Sequence, residues 1–153
     1  MTAFPGFARL LAVLAASGAL AFPALAAGPK AYVGNFKDST LSGIDTGSER
    51  VLATVPVAAG PDGIVISPNG QRVFVSGSSA SAVSEIDAAT DRVTHTIEVG
   101  QGPQGLATTA DGKWVLVAVN GDDRVAFIDT ATHAVAASVA VPKPHTIAVR
   151  PDG

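Results

Sequence analysis

From about residue 30 onward, the hydrophobic positions fall in short runs separated by Gly, Asp and Asn. Val, Ile and Thr are frequent in these runs, a pattern that predicts β-strands joined by tight turns. No stretch sustains an apolar period near 3.6, so long helices are not expected. The stretch 104–141 shows the order clearly. An apolar segment over 104–109 ends at Asp111-Gly112, a strong hairpin signal, and 113–119 reads as the next strand. A polar loop over 120–123 leads into a strand over 124–129. A turn over 130–133 then leads to a fourth strand over 134–141.

The same order recurs. Ile44-Asp45-Thr46, Ile86-Asp87-Ala88 and Ile128-Asp129-Thr130 lie 42 residues apart, as do Val51, Val93 and Val135. Asn69-Gly70, Asp111-Gly112 and Asp152-Gly153 fall 42 and then 41 apart, and so do Pro61, Pro103 and Pro144. The shared offset places a one-residue deletion between Val141 and Pro144. Four strands in a unit of this length is the arithmetic of a β-propeller blade. Nearly continuous apolar runs at 115–119 and 134–141 suit sheets covered on both faces. A β-sandwich would show one-sided alternation and no repeat.

The fold class is therefore all-β: β-propeller repeats of about 42 residues, four antiparallel strands per blade and about three blades, a partial propeller. The units run about 31–72, 73–114 and 115–153. In strand order, the chain is expected to supply the last three strands of one blade, two whole blades and a final inner strand at 146–149, twelve strands in all. Rings typically close with about four to eight blades. The chain is thus expected to be part of a longer propeller, and its two bare terminal faces to drive self-association.

The first residues read differently. Arg9 precedes an apolar run over 10–22, broken by Ser17 and Gly18, and Ala24-Leu25-Ala26 supplies the small residues a signal peptidase reads. Residues 1–26 are expected to be a signal peptide, too short for a comfortable membrane span, and 27–153 a periplasmic or secreted domain. Without the leader, nine basic and thirteen acidic residues remain, a net charge of −4. That balance, with no basic run, argues against a nucleic-acid partner. The absence of cysteine excludes disulfides, thiolate metal sites and a cysteine nucleophile.

Tyr32-Val33-Gly34-Asn35, Ile44-Asp45-Thr46, Ala53-Thr54-Val55-Pro56-Val57, Pro61-Asp62-Gly63 and Ser67-Pro68-Asn69-Gly70 resemble successive elements of the YVTN-type β-propeller repeat. The resemblance runs over 31–153, although the four-residue signature is complete in no copy: the later ones read Phe74-Val75-Ser76-Gly77 and Leu116-Val117-Ala118-Val119. It implies a seven-bladed, exported bacterial propeller. It does not imply one activity, since similar repeats occur beside lactonase and haem-d1 propellers.

Among candidate residues, the repeat itself serves as a control. Asp45, Asp87 and Asp129 recur in every unit and read as turn formers. Unlike residues at equivalent positions are better candidates. Asp62, Gln104 and His145 each follow a proline in the loop leading to an innermost strand, and they are the candidate ligand-binding residues at the channel mouth. Asn35, Lys37, Asp38, Asn120, Asp122 and Asp123 add polar loops further out; Asp122-Asp123 reads as a hairpin tip rather than a calcium site. His95 in an outer strand and His133 in a polar turn are not expected to act together, and Trp114 is expected to pack between blades. No catalytic, cofactor-binding or metal-binding residues are assigned, and no cofactor is expected. The sequence favours a non-catalytic envelope binding or scaffold protein with an unknown protein or small-molecule partner. The alternative is part of a lactonase-like or haem-bearing propeller enzyme.

Overall fold

The computed structural model describes residues 29–150. They form eleven strands: β1 (Lys30–Asn35), β2 (Thr40–Asp45), β3 (Arg50–Pro56), β4 (Pro61–Ile66), β5 (Arg72–Gly77), β6 (Ala82–Asp87), β7 (Arg92–Glu98), β8 (Pro103–Thr108), β9 (Trp114–Val119), β10 (Arg124–Asp129) and β11 (Ala134–Ala140). All pairings are antiparallel between sequence neighbours, giving sheets β1-β2-β3, β4-β5-β6-β7 and β8-β9-β10-β11. The leader expected at 1–26 and the turn at Asp152-Gly153 lie outside the described residues.

The twelfth strand, expected at 146–149, is not formed. In the second and third sheets each innermost strand pairs with the strand that follows it across a hairpin. Among the described residues, 146–149 has no such successor; just before it, the His145 carbonyl accepts from Gly105 N–H of β8 at 2.8 Å. The first sheet has three strands among the described residues.

Burial shows how the sheets stack. In the middle sheet β5 and β6 are buried almost throughout, whereas β2 of the first sheet is buried only at Leu41 and Gly43. Val73, Val75 and Ile86 join Leu41 and Val55 of the first sheet in one apolar cluster. Phe74 and Val83 join Val115, Val117 and Ile128 of the third sheet in another. Adjacent residues of one strand thus serve two different sheets, as expected of a blade with neighbours on both sides. The equivalent positions Val55, Ile97 and Val139 are 6%, 4% and 50% exposed; the third has no following blade over it among the described residues.

Local chemistry repeats with the blade. The Asp45, Asp87 and Asp129 carboxylates each accept backbone N–H groups two and three residues on, capping the turn between the third and fourth strands. These bonds, with the Thr90 hydroxyl first, hold the Asp87 carboxyl below its ordinary pKa. The residue closing each turn is left-handed: Glu49, Asp91 and His133 have φ of 58°, 53° and 55°. Each outer pairing also shifts register at the same place, after Gly43, Glu85 and Phe127.

The Asn69-Gly70 and Asp111-Gly112 turns differ in detail from a two-residue hairpin. Gly70 donates to the Ser67 carbonyl and Ser67 to that of Arg72, so Pro68 and Asn69 occupy the turn centre with left-handed Gly70 after it. Gly112 donates to the Thr109 carbonyl in the same way with Ala110 in the place of Pro68, so proline suits this turn and the left-handed glycine after its centre is what the two copies share.

Candidate functional site

Two places in the described residues gather unlike residues at equivalent positions. The first is the inner edge, where Asp62, Gln104 and His145 sit at the start of successive innermost segments. The backbone brings these segments close because glycine follows the first two. A side chain at Gly63 would collide with the Gln104 carbonyl oxygen, and one at Gly105 would approach the His145 carbonyl within 2.5 Å. Ser76 ties the first pair together, accepting from Gly63 N–H at 2.8 Å and donating to the Gln104 carbonyl at 2.6 Å.

Asp62 and His145 are exposed and Gln104 is half-buried. No hydrogen bond or ion pair joins the three side chains. Gln104 Oε1 is buried and meets no protein donor, the only such side-chain atom among the described residues. A buried carbonyl oxygen without a donor is costly, so it marks a place where a donor is wanted. In the adjoining loops, Asp122 accepts from Gln101 N–H and Arg124, and Asp123 accepts from Lys143 N–H. Those carboxylates brace loops.

The second place corrects the expectation that His95 and His133 stand apart. Their rings stack at 3.6 Å and 11°. Both face Glu85, which is 2% exposed: His133 Nδ1 lies 2.7 Å and His95 Nδ1 3.5 Å from Glu85 Oε2. The shift of register explains His95. Thr94 is the extra residue of the bulge and donates to the Glu85 carbonyl, while His95 stays directly opposite Glu85 in the ladder. The left-handed turn residue explains His133, which reaches back from the third blade onto the second. Arg72 completes the group, with Nη1 3.4 Å from Glu85 Oε1 and 2.7 Å from the Thr130 carbonyl.

The joint between the first two blades has the same framework, 42 residues earlier. Lys30 stands for Arg72 and bonds the Ala88 carbonyl, while Asp91 stands for His133. Lys30 Nζ lies 2.7 Å from Asp91 Oδ2, and the Tyr32 hydroxyl donates to Asp91 Oδ1 at 3.1 Å. Gly43 stands where Glu85 does, leaving space against which the Tyr32 ring packs. Burial first, then the Asp91 charge, pushes the Tyr32 hydroxyl up to about 12. A basic side chain thus bonds the next blade's turn at both described joints, and in the second joint the rest of the clamp is built from Glu85 and two imidazoles.

Beside that second joint, a cavity of about 370 Å³ opens between the hairpin loops of the second and third blades. Ser67, Asn69, Arg72 and Asp111 line it. Trp114 meets Phe127 edge-on at 6.3 Å within the third sheet, under the Lys113 ammonium, rather than packing between two described blades.

Known structures share this architecture. Hydrazine synthase of Kuenenia stuttgartiensis superposes with a TM-score of 0.78 at 24% identity, over 81% of this chain and 36% of that one. The dihydro-heme d1 dehydrogenase NirN, in complex with DHE, gives 0.66 at 19% identity, over 76% and 27%. A functionally unknown protein from Desulfotomaculum acetoxidans gives 0.65 at 23% identity, over 74% and 39%. At these identities the likeness is one of fold, and the chain spans about a third of their length. No curated protein matches the sequence. A family model described as YNCE-like beta-propeller matches residues 7–110, consistent with the YVTN-type repeats. With that match over most of its length and sheets repeating every 42 residues, the chain belongs to the YNCE-like beta-propeller family.

Proposed function

We propose that this chain is a binding segment of an exported bacterial propeller, taking a polar ligand or a protein at the face where Asp62, Gln104 and His145 begin successive inner segments. The observation that carries the reading is Gln104 Oε1, a buried acceptor without a protein donor between an exposed carboxylate and an exposed imidazole. A ligand N–H or O–H meeting that oxygen would satisfy it, and the flanking groups would orient the ligand. On this reading the bare outer face of the third sheet, with Val139, takes a further blade or a second copy of the chain. Export rests on the leader-like pattern of 1–26.

A second reading, part of a propeller enzyme, is favoured by the enzymes among the structural neighbours. Thermal-shift titration of the full chain against sugars, carboxylic acids, amino acids and nucleosides separates the two, with haem uptake followed in parallel by its absorbance. We expect a saturable stabilisation by at least one polar solute, weakened tenfold or more by Gln104→Leu, which keeps the volume and removes the acceptor. Haem uptake would favour the enzyme reading. A stabilisation indifferent to Gln104→Leu would remove this face from the account.

A further inference from the structure

We propose that Glu85, His95 and His133 form a binding site for a divalent first-row transition ion, of which zinc is the type, at the joint between the second and third blades. One ligand atom from each residue can be chosen so that all lie within 4.8 Å of one another. Two imidazoles and one carboxylate suit zinc, cobalt, nickel or ferrous ions rather than calcium or magnesium, which prefer all-oxygen shells. The three residues come from two blades: β6 and β7 hold Glu85 and His95, and the turn after β10 presents His133.

The repeat distinguishes this group from the ordinary clamp. Positions equivalent to Glu85 hold Gly43 and Phe127, and those equivalent to His95 hold Ala53 and Ala137. The first joint shows that one cation and one carboxylate suffice to link blades. The second keeps such a cation in Arg72 and adds two imidazoles beside a buried carboxylate, more donors than the link requires.

Bonds of about 2.0–2.2 Å place neighbouring ligand atoms about 3.3 Å apart in a tetrahedral shell. The His95 contact at 3.5 Å already matches, and the His133 contact at 2.7 Å must open by about half an ångström. The stacked rings must also turn so that both in-plane lone pairs meet the ion. The His95 and His133 side chains are 43% and 28% exposed, so each can rotate without displacing the core. Glu85 is anchored from below: Arg72 holds Oε1 and leaves Oε2 for the ion. The solvent side of the imidazoles leaves room for water as a fourth ligand.

The test uses the full chain, purified without a histidine tag, with zinc titrated by calorimetry and cobalt(II) by its visible absorption. We expect one ion per chain with micromolar or tighter affinity and a four-coordinate cobalt spectrum. His95→Ala and His133→Ala should each weaken binding at least tenfold. His95 is the safer position, being half-exposed on an outer strand, and circular dichroism of that variant verifies the fold. Absence of saturable binding would overturn the proposal. So would binding that survives both substitutions, or binding weakened as much by His145→Ala, the remaining histidine, since either marks adventitious surface capture.

Discussion

Phe74→Ala is expected to destabilise the chain by about 3–5 kcal/mol, the range for deleting a fully buried aromatic ring. The ring is 0% exposed and belongs to the cluster joining the second and third sheets, where blade contact excludes solvent. Its removal leaves a void that sheets on either side cannot close without shifting whole blades. It also removes the surface over which the Arg72 guanidinium sits, 5.9 Å from the ring centroid. Urea denaturation followed by circular dichroism measures the loss. Leu52→Ala, at an exposed position of an outer strand, should stay within about 0.5 kcal/mol. A cost below about 1.5 kcal/mol for Phe74→Ala would mean that the ring does not lie between sheets.

Asp91→Ala should cost about 2–3 kcal/mol, because it strips Lys30 and Tyr32 of their shared acceptor and puts alanine at φ 53°. Asp91→Asn, which tolerates the left-handed turn, should recover part of that loss. The protein has one tyrosine, so its ultraviolet titration reads Tyr32 alone. The phenol should ionise near 12 in the native protein. In Asp91→Asn the value should fall but stay above 10, since burial, the larger cause, remains. The sign for stability follows from linkage. A phenol raised in the fold stabilises fully below its ordinary value of 10, and that contribution is lost as pH rises from 10 through about 12. An unchanged Tyr32 titration in Asp91→Asn would contradict the clamp.

Much of the fold was legible because the repeat supplied internal copies. The strands at 113–119 and 124–129 and the aspartate turns followed from enrichment in β-branched residues and from punctuation, which act locally. The strand expected at 146–149 failed because an inner strand is made by its hairpin partner rather than by its own composition. The hairpins expected at Asn69-Gly70 and Asp111-Gly112 form, with the left-handed glycine just after the turn centre in both.

The site was less legible. Asp62, Gln104 and His145 were chosen by comparing loops, and the same comparison within strands would have singled out Glu85, a carboxylate where the other copies carry glycine and phenylalanine. Its partners could not be read from spacing. His95 faces it because of a bulge and His133 because of a left-handed turn, and the sequence separation of 48 between Glu85 and His133 is spanned only by blade stacking.

That stacking is the central claim, and the most direct measurement is a methyl- and aromatic-resolved nuclear Overhauser spectrum of the full chain. Neighbouring residues of β5 should report different sheets. Leu41 methyls should show cross-peaks to Val73, Val75 or Ile86, and the Phe74 ring to methyls of Val115, Val117 or Ile128. Cross-peaks from Phe74 and Val75 to one and the same sheet, or a Phe74 ring with no inter-sheet partner, would contradict the account.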